Sequence, residues 1–177
     1  ADGNTGVKYL KAVMDKFHSS YDVYTDAFAA GNNFNARGRM GTAPDMIENC
    51  TSVKKTGLTS IQAKYTCGKA PYWGGWYFLN GVLKGDARTP SVNWGDCSNA
   101  GVDLTGATKL TFWARGAAGG EKVEFFCLGA GRDSNSGNPV TSYPDSSAKV
   151  STGCITLSSA WKQYTINLTG KNLNYVL

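Results

Sequence analysis

The residues of this chain best equipped to do chemistry are aromatic rings. Tyr72-Trp73-Gly74-Gly75-Trp76-Tyr77 is the densest supply, and Trp94 follows in an Asn-Trp-Gly-Asp turn. Flat indole and phenol faces stack on the axial C–H groups of a pyranose, while neighbouring amides and charges hold its hydroxyls. A second supply, Trp113, Arg115 and Trp161 with Lys122, Glu124 and Gln163, forms an outward row on alternating strands. The candidate sugar-binding residues are therefore Trp73, Trp76, Tyr77, Trp94, Trp113, Arg115 and Trp161. Each also has a plainer explanation. Trp76 alternates with Phe78 like a core residue, and Trp113 and Trp161 fit equally well under a covering helix or between two sheets.

Catalysis has less to stand on. A Ser or Cys nucleophile needs a base, and the one histidine, His18, closes an amphipathic stretch where a solvated imidazole is the ordinary explanation. Asp22, Asp26, Glu48, Asp96, Glu121 and Glu124 supply carboxylates, but glycoside hydrolysis needs two at a fixed separation. Nothing in the sequence pairs them, so the expectation is a protein that is not an enzyme. The five cysteines lack the C-x-x-C spacing of a zinc site. Disulfides in an oxidising compartment fit them better. Cys50 and Cys67 flank an expected hairpin, and Cys127 and Cys154 bracket a long polar loop, a cross-link worth about 3 kcal/mol. Cys97 is left over, either a buried thiol or a bond to another chain; the thiol is the preferred reading.

Antiparallel strands must position these rings. Around Leu110, Phe112 and Ala114 the pattern alternates with Thr111, Trp113 and Arg115; it repeats at Val123, Phe125, Cys127 and at Tyr164, Ile166, Leu168. Such a period of two means half-buried antiparallel strands. Strands are expected near 21–26, 45–52, 59–67, 75–80, 108–115, 121–128, 153–157 and 161–168, separated by Gly-, Asn- and Pro-rich turns. Only residues 5–18 follow a helical period, with Val7, Leu10, Val13, Met14 and Phe17 on one side. The expected architecture is an all-β antiparallel sandwich of jelly-roll type with one short N-terminal amphipathic helix, divided into an arm at 1–20 and a domain at 21–177.

Composition narrows the setting. The 177 residues suit one domain, and 22 Gly with 18% charged residues suit a loop-rich, secreted or cell-surface β protein. A net charge of +5 is mild and its lysines are scattered, which argues against a nucleic-acid partner. No apolar run is long enough to span a membrane. The opening Ala-Asp-Gly-Asn reads as a mature N-terminus left after removal of a secretory signal.

Several motifs occur in order: YDVYTDA, Arg37 to Gly41 read as a turn, Glu48-Asn49-Cys50-Thr51, Asn93-Trp94-Gly95-Asp96, DLTGATKLTFWARG, GGEKVEF, YPDS and ITLSSAWKQYTINLTG. Together they resemble a family of bacterial secreted β-jelly-roll domains that are similar to carbohydrate-binding modules, over roughly residues 21–177. The resemblance implies polysaccharide or glycan binding and a structural Ca²⁺, for which Asp22, Asp26 and Asp103 are the candidate ligands; Asp45 and Asp145 read as turn formers. Two departures stand out. The 5–18 segment and the 127–154 loop look like additions, and the family's usual last strand is missing after Tyr175-Val176-Leu177. A sandwich short of a strand leaves an edge for a neighbouring copy to fill. The alternative function is thus a structural subunit that self-assembles, as a homo-oligomer, extracellular filament or surface layer, by strand or helix docking.

Overall fold

The computed structural model describes residues 20–42, 45–66, 68, 70 and 72–177. The expected 5–18 helix, His18 and Cys67 lie outside them. The described residues form eight strands and no helix: β1 Arg37–Gly41, β2 Asp45–Cys50, β3 Ser60–Lys64, β4 Gly74–Phe78, β5 Lys109–Ala114, β6 Lys122–Cys127, β7 Val150–Thr156 and β8 Lys162–Asn167. All pair antiparallel, two by two, as β1–β4, β2–β3, β5–β8 and β6–β7. The same nesting therefore occurs twice, an inner pair enclosed by an outer one.

Alternation makes the C-terminal half. Leu110, Phe112 and Ala114 on β5, and Val123, Phe125 and Cys127 on β6, are the half-buried positions, while their neighbours are exposed. Phe112 of one ribbon meets Phe125 of the other at 4.6 Å between centroids, and stacks on Tyr164 at 5.7 Å. Below these rings lies the driest part of the core, Ile166, Leu168 and Leu173, with Leu104, Leu128, Val150 and Val176 against it. Burial of such side chains is the main force holding the ribbons together. At the far end the two turns are tied by Gly116 N–H to Ser158 O and Leu157 N–H to Glu121 O, both 2.8 Å.

Two expectations about strands are corrected. Residues 21–26 form a loop, because side chains there compete with any ladder for the backbone. Asp26 Oδ1 accepts from Leu58 N–H (2.8 Å) and Thr59 N–H (2.7 Å), Asn32 Oδ1 from Thr25 N–H (2.9 Å), and Asn33 Nδ2 donates to Asp22 O (2.9 Å). Conversely, Arg37–Gly41 is strand β1 rather than a turn. Its two glycines weaken any intrinsic preference, and the pairing partner supplies what they lack: the Tyr77 ring covers Gly38 so closely that a Cβ there would fall inside it.

Two corrections concern cross-links and turns. Cys127 sits opposite Val150 on the inward face of the β6–β7 ribbon, whereas Cys154 sits opposite Glu124 on the outward face. The ladder thus aims the two thiols apart, and Cys50, Cys97, Cys127 and Cys154 are all free. Burial, helped by the charge of Asp145, pushes the Cys127 thiol up to about 11. Cys50, whose expected partner Cys67 is not described, is held below the ordinary thiol value by the Ser52 hydroxyl and nearby N–H groups. Asp145, expected in a turn, is 1% exposed. Asp45, also expected in a turn, opens β2.

Candidate functional site

The register of β1 and β4 decides which rings share a face. Arg37, Arg39 and Gly41 pair with Phe78, Trp76 and Gly74; Gly38 and Met40 pair with Tyr77 and Gly75. Directly opposed residues project to one side of a ribbon, so Tyr77 and Trp76 point to opposite sides. On the Tyr77 side the glycines leave room. Trp73 lays its ring against bare Gly75, with the Met40 methyl alongside, and is 49% exposed. Tyr77 lies over Gly38, and Trp94 meets its ring edge-on at 5.0 Å between centroids while keeping 39% of its surface in solvent.

Trp94 is presented by a turn built around one buried amide. Asn93 is wholly inaccessible, and its Oδ1 accepts from the N–H groups of Gly95 (3.0 Å), Asp96 (3.1 Å) and Cys97 (3.1 Å). Gly95 has φ +97°, and a Cβ there would strike the Thr141 hydroxyl and the Tyr143 carbonyl. Both the backbone conformation and the space demand glycine. The 129–145 loop packs on this turn through Tyr143 N–H to Gly95 O at 2.9 Å, which brings an exposed Tyr143 beside it. That loop is anchored in turn by Asp145. Its carboxylate accepts from Ala130 N–H (2.8 Å) and from Leu177 N–H (2.6 Å), and burial raises its pKa against those hydrogen bonds.

Trp73, Tyr77 and Trp94 therefore form a strip, with Tyr143 next to its Trp94 end. The other candidates fall elsewhere. Trp76 donates its indole N–H to Asp45 O at 2.9 Å, on the side where Arg39 pairs with Asp45. Trp113 faces outward as expected, but on β5, with the Lys55 ammonium 4.5 Å above its ring. Arg115 turns back on its own loop, donating to Gly116 O (3.0 Å) and Ala117 O (3.3 Å). Trp161 precedes β8 and is half-buried. Sequence reasoning missed Tyr143, which is hidden in a Tyr-Pro-Asp turn signal; the alternation of Trp76 with Phe78 already sets Trp76 on the side away from Tyr77.

The three expected metal ligands are not gathered. Among the described residues no group of three His, Cys, Asp or Glu is placed to hold a metal ion. Asp26 clamps the Leu58–Thr59 backbone and Asp103 accepts from Thr105 N–H at 2.9 Å, and in both the accepted hydrogen bonds hold the carboxyl below its ordinary range. Asp22 offers its carbonyl to Asn33. Among the described residues no helix is long and apolar enough to cross a membrane. No family model, curated protein or solved structure matches this chain.

Proposed function

We propose that this chain is a non-enzymatic, extracellular β-sandwich of jelly-roll type that binds polysaccharide along the Trp73–Tyr77–Trp94 strip. One observation carries the reading: three rings line one face of a ribbon whose glycines, Gly38 and Gly75, leave room for the Tyr77 and Trp73 rings to lie against it. Trp73 and Tyr77 stand four strand positions apart, roughly 13 Å at about 3.3 Å per residue, a span suited to a chain of sugars rather than a single ring. Rings left in water at such sites lose their hydration on stacking, which favours binding. The test is retention in affinity gels cast with a panel of soluble polysaccharides. Trp94→Ala and Tyr77→Ala should each abolish retention, while Trp76→Phe and Trp113→Ala should not. Equal retention of all four variants would refute the assignment. Release of new reducing ends from any retained polysaccharide would refute the non-enzymatic part.

Self-association is the second reading, and the C-terminal ribbons favour it. Among the described residues, strands β5, β6, β7 and β8 each pair with one strand, and the Phe112, Phe125 and Tyr164 rings between them are half-buried. A lone two-stranded ribbon is marginal in water, and an open edge accepts a strand from a neighbour. Light scattering with negative-stain microscopy separates the readings, since regular oligomers support assembly and a monodisperse 18.9 kDa species removes it.

A further inference from the structure

On the side of the β1–β4 ribbon opposite the strip lies a cleft of about 590 Å³, between the 27–37 segment and β2. Its size falls in the range of small-molecule sites. Phe28 stands at its mouth with 87% of its surface in solvent, and Ile47 adds a second exposed apolar wall. Covering apolar surface is favourable, so a ring left bare beside a cleft is a ready contact surface. The polar wall is an ion pair. Arg37 Nε meets a Glu48 carboxylate oxygen, and the guanidinium lies 5.1 Å from the Phe34 ring centroid while its Nη1 donates to Asn35 Oδ1. The exposed Asn35 and Asn49 complete the rim.

We propose that this cleft is a second saccharide site, which takes one or two neutral pyranose rings. The chemistry selects the class. Arg37 and Glu48 cancel, so the wall carries adjacent donors and acceptors with no net charge to attract an anion or a cation. A carboxylate and a guanidinium side by side suit neighbouring hydroxyls, one donating and one accepting. Phe28 then covers the C–H face of the same ring. An acidic sugar would meet Glu48, and a purely apolar ligand would strand the ion pair without solvent. The inference goes beyond the strip and stands on separate residues. With both sites filled, one chain holds two glycans on opposite sides of the same ribbon and becomes a cross-linker.

Titration of the isotopically labelled full chain, followed by amide NMR, tests this. The probes are the methyl glycosides of glucose, mannose and galactose, N-acetylglucosamine, and glucuronate. At least one neutral probe should give saturable millimolar shifts at Phe28, Glu48 and the Asn35 and Asn49 side-chain amides. Those shifts should vanish in Phe28→Ala, weaken at least tenfold in Glu48→Gln, and survive in Trp94→Ala. Phe28 is so exposed that its loss leaves the fold intact, and unchanged spectral dispersion checks this. Absence of saturable shifts with every neutral probe overturns the proposal, as does stronger binding of glucuronate. So do shifts that disappear in Trp94→Ala, or concentration-dependent shifts at these residues without sugar, which would place another copy in the cleft. Failure of the strip reads out separately, as lost polysaccharide retention with the cleft shifts intact.

Discussion

Replacing Asp145 by Asn should unfold this protein at a markedly lower temperature, although the two side chains are nearly the same size. Both carboxylate oxygens receive backbone N–H groups, from Ala130 at 2.8 Å and Leu177 at 2.6 Å, in a site that is 1% exposed. An amide can accept only one of them. The other N–H faces an NH₂ group and is left unmatched, a stranded buried donor that costs about 1–3 kcal/mol. Release of the buried charge offsets part of this, because burial already raises the Asp145 pKa. A net loss of about 1–2 kcal/mol is expected, or about 2–8 °C in Tm for a chain of this size. The carboxyl's raised pKa also fixes the sign with pH. Its stability contribution is full below the ordinary carboxylate value of 3.8 and falls as pH rises through the raised value. The parent's advantage over Asp145→Asn should therefore be largest in acid. Thermal unfolding of both proteins by circular dichroism across that range is the assay. A Tm within 2 °C at neutral pH, or a gap that widens with rising pH, would refute the reasoning.

Gly38→Ala places a methyl where the Tyr77 ring now lies; polysaccharide retention should weaken while Trp94 and Trp73 remain, and unchanged retention would show that Tyr77 does not contribute. Ile166→Ala, at a position 3% exposed, should cost about 2–5 kcal/mol by urea unfolding. A loss under 1 kcal/mol would mean that the core there collapses to fill the gap. Accepted hydrogen bonds hold Asp26 and Glu124 below their ordinary ranges, so stability from these groups should be present above those ranges and vanish as pH falls through the lowered values. Denaturation midpoints of Asp26→Asn should accordingly fall less steeply in acid than those of the parent.

Where side chains alternate cleanly, the sequence was readable. β5, β6 and β8 lie within a residue or so of their expected spans, and Trp113 and Phe126 face water as the period of two requires. Legibility failed where tertiary contacts overrule local preference. Arg37–Gly41 becomes a strand only because Tyr77 roofs its glycine, and 21–26 becomes a loop because Asp26 finds Leu58 and Thr59 far along the chain. The cluster Tyr72 to Tyr77 and the separate Trp94 are visible in the sequence, yet which ring meets Trp94 depends on tertiary packing that no spacing encodes. Asp145 illustrates the same limit: an aspartate after a proline looks like a surface turn until its two N–H partners are known.

The doubly nested pairing has a kinetic consequence. Closing a loop costs entropy that grows with the logarithm of its length, and distant partners pay it before any contact rewards them. Once β2 meets β3 across the 51–59 turn, β1 and β4 are separated only by short connections at 42–44 and 65–73. Likewise β6 with β7 leaves β5 and β8 linked through 115–121 and 157–161. Each half should therefore zip from the inside outward, with the inner ladder as its seed. Pulse-labelled hydrogen exchange during refolding should find amides of β6 and β7 protected before those of β5 and β8, and the reverse order would mean that the Phe112–Tyr164 stack, rather than chain proximity, directs the assembly of that half.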